Sequence, residues 1–344
     1  RDTDRSRGLG DVYKRQALPG ENAECVCAGL RTVFEHIGAV PLTLVLDNAT
    51  GAGHRVAWDR VSIVKVFELF VEHYRLETRF CNPNSGNEKG SVENAVGFLR
   101  RNIMVPLLNA ESYAQLTRYM LERCDAMAKE THYRKGAPIG GLFAEEKAEM
   151  QPLPSKPYDA IRWEVRKADK DGRVQVDGNH YLAGPSWRGW TLDVALRAFD
   201  VTIRTQDGRT CARLPRVYGD SPATIRDPAT LLPALGRKTN AWPDSTIRDD
   251  FPDKLRLAID RMDAKARRNA FRLISRTSDA CGFEPAVEAG EHLVEQGHPL
   301  DEASLTTMAR RIASGEKPYE QTAPDLTGYD VFMQPRGTRE RKEA

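Results

Sequence analysis

Leu42-Thr43-Leu44-Val45-Leu46-Asp47-Asn48-Ala49-Thr50 decides how this chain is read. It is an almost continuous apolar run, ended by a carboxylate and an amide and followed by small residues and Gly51. A run bounded this way predicts a strand buried on both faces of an α/β sheet. Open α/β sheets place their chemistry beyond the carboxyl ends of such strands, where Asp47 stands. An Asp ahead of a Gly-containing loop can equally cap a turn. On this stretch alone both readings stand.

Upstream, Glu21 to Ile37 predicts a helix, because Ala23, Val26, Cys27, Leu30, Val33, Phe34 and Ile37 fall on one face, and Gly38 closes it. Downstream, Gly51–Asp59 reads as a loop containing His54 and Arg55. Ser62 is expected to cap a second helix with Ile63, Val66, Phe67, Phe70, Val71 and Tyr74 as its buried stripe. Leu76–Phe80 alternates like a strand, and Cys81–Asn87 has loop composition. A third helix opens near Gly90 and runs past Arg101, with Val92, Val96, Leu99 and Ile103 on one face. Helix, strand, helix, strand, helix is the order of an α/β domain whose sheet lacks its first strands here.

Ser112 to about Lys129 predicts another helix, and Pro152, Pro154 and Pro157 mark a linker. Residues 161–216 then alternate apolar and polar, punctuated by Asp171-Gly172, Asp177-Gly178 and Asp207-Gly208. Short strands with such turns predict a small β-barrel. Helical patterns return from Lys254 to Ser314. The expected organisation is therefore a partial core at 17–108, a helical extension and linker at 109–156, a β-barrel at 157–220, an irregular linker at 221–251, a helical region at 252–333 and a disordered charged tail at 334–344. Residues 1–16 have no periodicity and read as adapter-derived sequence, so the native chain is expected to begin upstream of Ala17.

The totals bound the class. The 344 residues are 40% hydrophobic and 29% charged, an ordinary globular composition. A net charge of +2 does not mark a polyanion binder by itself, so any basic surface must come from local clustering. No apolar run approaches the ~20 residues that span a bilayer. Cys25, Cys27, Cys81, Cys124, Cys211 and Cys281 are scattered, without zinc-site spacing, which suits a reducing cytoplasm.

The second chemical signal is Glu93, in the first turns of the third helix, with Gly97 one turn beyond and Arg100 and Arg101 about two turns on. Mg2+ binds through one or two carboxylates plus phosphate and water, and two-metal phosphoryl transfer uses carboxylates held on rigid elements. Glu93 can equally be a first-turn acid favoured by the helix dipole. A basic cluster, Arg162, Arg166, Lys167, Lys170 and Arg173, surrounds Trp163 in a region with eleven Lys or Arg against seven Asp or Glu over 161–216. Such patches bind phosphate backbones. A solvated barrel surface is the plain alternative. Trp163, Trp187 and Trp190 are expected in the core rather than stacked on bases, and Cys25 and Cys27 are expected to pack.

Several motifs in order carry a family resemblance. They are Pro19-Gly20-Glu21-Asn22-Ala23-Glu24-Cys25, the stretch Leu44 to Gly51, Phe80-Cys81-Asn82-Pro83, Glu88-Lys89-Gly90-Ser91-Val92-Glu93-Asn94-Ala95-Val96-Gly97, His132-Tyr133-Arg134-Lys135-Gly136 and Leu214-Pro215-Arg216-Val217-Tyr218-Gly219-Asp220. From Ala17 to about Met333 the chain resembles an IstA-type insertion-sequence transposase with a retroviral-integrase-like core. The resemblance implies a truncated RNase H-like fold and an Asp, Asp, Glu triad holding Mg2+ or Mn2+. Asp47 matches the second acid and Glu93 the third. Glu88 competes with Glu93 but precedes the helix. The first acid and a helix-turn-helix region are expected upstream, so this fragment is expected to be inactive. By resemblance, water cleaves the element's end and the freed 3′ hydroxyl attacks target DNA, both by in-line displacement. Lys89, Arg100 and Arg101 join the basic cluster as candidate DNA contacts. Implied partners are the element ends and target DNA, an AAA+ ATPase helper and further copies of the chain on DNA, in the bacterial cytoplasm and away from membranes. A nuclease of the same fold and a non-catalytic DNA-binding regulator are the alternatives.

Overall fold

In a computed structural model, residues 17–46, 52–57, 60–80, 101–103, 105, 109–132, 135–219 and 221–315 are described. They fall in two compact units, residues 1–230 and 231–344. The first unit begins with α1 (Ala23–Ile37), whose ends explain its limits. The Asn22 side chain accepts from the Cys25 N–H, and Gly38 takes a left-handed conformation at φ 69°. β1 (Thr43–Leu46) pairs in parallel with β4 (Glu77–Phe80), Leu46 opposite Phe80. Between them lie a hairpin of β2 (Gly53–Ala57) and β3 (Arg60–Ile63), then α2 (Lys65–Tyr74). Phe34 of α1 and Phe67, Phe70 and Tyr74 of α2 form the aromatic centre of this core.

Three expectations change here. Ser62 does not cap α2. It pairs with His54 in the hairpin, and the helix starts after Val64. The predicted loop at 51–59 contains β2 for the same reason. β1 is not buried on both faces: Leu42, just before it, is 55% and Val45 62% exposed, and β4 is its one strand neighbour among the described residues.

α3 (Tyr113–Met127) is capped by Ser112, whose hydroxyl accepts from the Gln115 N–H, and it buries Met120, Leu121 and Cys124. Ile103, in helical residues 101–103, joins Met120 and Cys124 in a small cluster. α4 (Ile139–Ala148) follows. The Pro-rich stretch after it is strapped to the core. Gln151 and Val40 exchange backbone hydrogen bonds of 2.8 Å. The Tyr158 hydroxyl donates to the Val66 carbonyl, and its N–H donates to the Tyr74 hydroxyl.

Strands β5 (Arg162–Lys167), β6 (Arg173–Val176), β7 (Asn179–Leu182), β8 (Thr191–Leu196), β9 (Asp200–Thr205), β10 (Thr210–Pro215) and β11 (Thr224–Ile225) make two sheets. Their orders are β10-β9-β8-β5 and β11-β7-β6. The expected barrel is therefore corrected: among the described residues no sheet closes. Val174, Val176 and Tyr181 of the smaller sheet share one core with Leu192, Val194, Leu196, Val201, Ile203 and Leu214 of the larger. The chain crosses between sheets at Gly172, φ 81°, where a Cβ would lie 2.0 Å from the Gly184 carbonyl oxygen. Only glycine permits that approach. Asp177 and Gly178, both at positive φ, form the two-residue turn joining β6 to β7.

The second unit is helical: α5 (Leu232–Arg237), α6 (Asp253–Arg261), α7 (Ala264–Cys281), α8 (Phe283–Glu295) and α9 (Glu302–Ala313). The stretch expected to be an irregular linker contributes its centre. Short 3-10 turns at Thr239–Ala241 and Thr246–Asp250 bury Trp242 and Ile247, and Trp242 packs edge-on against Phe251, ring centroids 5.1 Å apart. Asp263 caps α7 and Asp301 caps α9. Among the described residues no helix is long and apolar enough to cross a membrane.

Candidate functional site

The parallel pairing of β1 and β4 brings the carboxyl ends of both strands to one edge, at Leu46 and Phe80. Asp47 is the next residue after the first strand, and the stretch containing Glu93 follows the second in sequence. Asp47, Glu88, Lys89, Glu93 and Arg100 themselves lie outside the described residues. Arg101 is described and exposed. Among the described residues no group of three or more His, Cys, Asp or Glu could hold a metal ion.

The basic cluster of the β region does not form one patch. Strand alternation sends neighbouring side chains to opposite faces. Arg162, Glu164 and Arg166 sit opposite Leu196, Val194 and Leu192 on the inner face, while Trp163, Val165 and Lys167 sit opposite Ala195, Asp193 and Thr191 on the outer face. Arg166 is ion-paired with Glu164, and Arg173 with Asp171 at 3.3 Å. Lys167 and Lys170 are exposed without an ion pair among the described residues. The expected burial of Trp163 and Trp190 is also corrected, while Trp187 packs against the core of the two sheets. Trp163 is 52% and Trp190 53% exposed, and Trp187 is half-buried against Trp190, centroids 5.3 Å apart. The outer-face register exposes Trp163, and the Arg204 guanidinium lies 5.7 Å from its ring centroid.

Arg162 has a different task. Its Nε donates to Glu24 Oε1 at 2.8 Å, its Nη1 to Glu164 Oε1 at 2.8 Å and its Nη2 to Asp177 Oδ2 at 2.7 Å. The side chains of Glu24 and Arg216 are 2% and 3% exposed. Arg216 donates to Asp177 Oδ2 at 2.9 Å and to the Arg197 carbonyl at 2.7 Å, and its Nη1 lies 3.7 Å from Glu24 Oε2. Burial raises the Asp177 carboxyl, yet Arg162 and Arg216 outweigh it and hold the group below the usual carboxylate range. These residues line a cleft of about 600 Å³ between the start of α1 and the β region.

Beside the charges, the Tyr218 hydroxyl donates to the Ala198 carbonyl at 2.7 Å and lies 3.3 Å from Cys25 Sγ. A Cβ on Gly20 would come within 2.7 Å of the Tyr218 ring. The sequence motifs 19–25 and 214–220 thus meet as one interlock. Its arginines are occupied by Glu24, Glu164 and Asp177. Burial pushes the Cys25 thiol up and the Cys27 thiol to about 12, so neither is activated as a nucleophile. The arrangement can hold two parts of the unit together, and it contains no activated nucleophile. Sequence reasoning missed it although both motifs were visible, since their contact spans more than 190 positions.

Residues 153–227 match the Mu transposase C-terminal domain family, which covers the Pro-rich strap and both sheets. The chain is 28% identical over 192 residues to a transposase for insertion sequences IS1326/IS1353 of Pseudomonas aeruginosa, covering 55% of this chain and 38% of that protein. It is 28% identical over 186 residues to the transposase for insertion sequence element IS21 of the same species, 54% and 47% of the two chains. A transposase of Aminobacter aminovorans is 28% identical over 230 residues, 65% and 45%. The matched stretch spans less than half the length of each of these relatives. The resemblance to insertion-sequence transposases stands on these similarities.

Proposed function

We propose that this chain, a relative of insertion-sequence transposases, is part of a DNA transposase that cleaves element ends and joins them to target DNA. The similarity to these transposases over more than half of the chain carries the reading. The parallel β1·β4 pair, consistent with an integrase-like, RNase H-like core, supports Asp47 as one catalytic carboxylate at a strand end. Glu93 is proposed as another, the third acid of the expected triad as Asp47 is the second. Carboxylate oxygens are the hard donors that Mg2+ or Mn2+ requires, and a cation held there would stabilise charge developing on the phosphodiester. Asp47 and Glu93 would hold it and position the scissile phosphate, with Lys89, Arg100 and Arg101 as flanking phosphate contacts. DNA, further copies of the chain and a separate AAA+ ATPase helper are the proposed partners. A pulldown of the helper with and without residues 231–344 tests the last: undiminished capture without them ends it.

The test of the reaction is a strand-transfer assay in Mg2+, on a protein that carries this chain at the full length of its relatives. A bound cation supplies several kcal/mol at the transition state, and each ~1.4 kcal/mol is tenfold in rate. Asp47→Asn and Glu93→Gln should therefore each lower joining by about 100-fold or more. Joining at the parental rate in either variant removes that residue from the site. Cleavage without joined product would favour a nuclease.

A further inference from the structure

The helical unit contains a second set of arginines that differs from the interlock. Arg268, Arg272 and Arg276 recur every fourth position along α7 and are all exposed. That spacing puts them on one face, about 6 Å apart along the axis. The opposite face, with Ala270, Phe271, Ile274 and Thr277, is buried. α5 lies against α7 so that Gly236 faces the stem of Arg272, a Cβ there falling 3.7 Å from Arg272 Cγ. Between the helices is a cleft of about 210 Å³ bordered by Gly236, Arg237, Phe271, Arg272, Ser275 and Arg276. Three arginines and a serine therefore border a small cleft in this unit.

Among the described residues one ion pair touches this stripe. Glu302 lies 3.6 Å from Arg276, with both side chains well exposed, a pairing that contributes little. Asp279 follows one turn on in sequence. Arg268 and Arg272 have no ion pair among the described residues. Like charges four apart cost an isolated helix about 0.2–0.5 kcal/mol per pair. Arginine rather than lysine at all three positions suits forked recognition of phosphate oxygens. An evenly spaced stripe matches a repeating anion better than a single one.

We propose that the Arg268–Arg272–Arg276 face of α7, with the Arg237-bordered cleft, binds consecutive backbone phosphates of duplex DNA. The choice of DNA as the phosphate source rests on the transposase reading. The chemistry of the site rests on these residues alone. Ser275 would donate to the phosphate seated in the cleft, with Arg272 and Arg276 on either side.

The test is fluorescence anisotropy of a labelled random-sequence duplex with the whole chain, titrated across KCl concentrations. Each neutralised phosphate contributes about 0.9 to the slope of log affinity against log salt. The double variant Arg272→Gln/Arg276→Gln should lower that slope by about two. The charge-matched control Arg310→Gln/Arg311→Gln on α9 should leave it unchanged. Melting curves of both variants establish that the fold is retained. An unchanged slope in the α7 variant overturns the site while leaving the transposase reading intact. An equal fall in both variants also overturns it, as an effect of net charge. A parental chain that binds no duplex at any salt concentration overturns both.

Discussion

Arg162 and Arg216 near α1, and Arg272 and Arg276 on α7, are the same residue type in opposite situations. The first pair is occupied on nearly every donor by Glu24, Glu164, Asp177 and the Arg197 carbonyl. The second meets one exposed acid at 3.6 Å. In the sequence the first looks more like a nucleic-acid patch, since Arg162 sits in a basic run beside a tryptophan. The difference comes from backbone period. Alternation in β5 turns Arg162 inward and Trp163 outward, whereas a repeat of four in α7 keeps Arg268, Arg272 and Arg276 on one exposed face. Charge density along a sequence therefore says little about which charges a partner can reach.

That contrast can be broken experimentally. The largest effect is expected from Arg216→Ala, which removes a buried cation that donates to Asp177 and the Arg197 carbonyl and lies 3.7 Å from the buried Glu24. Loss of one member of a buried pair costs about 3–5 kcal/mol, read by urea unfolding. A change below ~1 kcal/mol would make the interlock incidental. Gly20→Ala should be smaller, about 1–3 kcal/mol, as its methyl group meets the Tyr218 ring. Tyr218→Phe removes the hydrogen bond to Ala198, worth about 1 kcal/mol.

Smaller again is the response to pH, because Asp177 is partly solvated. Its carboxyl is held low in the folded chain, so its stabilising contribution is present above the unfolded carboxylate value. That contribution is lost as pH falls through the lowered value. Melting temperature should thus fall on acidification below about pH 4, and Asp177→Asn should flatten that fall. At the bottom of the scale, Arg272→Gln should move stability by less than ~0.5 kcal/mol, since nothing in the fold depends on it. A larger loss would mean that the α7 stripe is structural after all.

Local pattern made much of the fold legible. The apolar spacing of α1 and α2, the Ser112 cap and the Asp177-Gly178 turn each translate directly into the observed element. The β2–β3 hairpin escaped because its residues show no clean alternation, and its pairing, rather than propensity, makes Ser62 extended. Trp163 misled because bulk and apolarity predict burial, while register decided its exposure. The interlock was half visible: both motifs stood out, but not their contact.

By itself the sequence indicated α1, α3 and the β-rich stretch, the resemblance to transposases and the candidate acids Asp47 and Glu93. Only the tertiary structure decided that two sheets share one core without closing and that Arg162 and Arg216 belong to an internal clasp. It alone showed that α7 leaves Arg268, Arg272 and Arg276 exposed. The physical reason is range. Helix and turn preferences act over a few residues, whereas register, burial and ion pairing depend on residues brought together from distant parts of the chain.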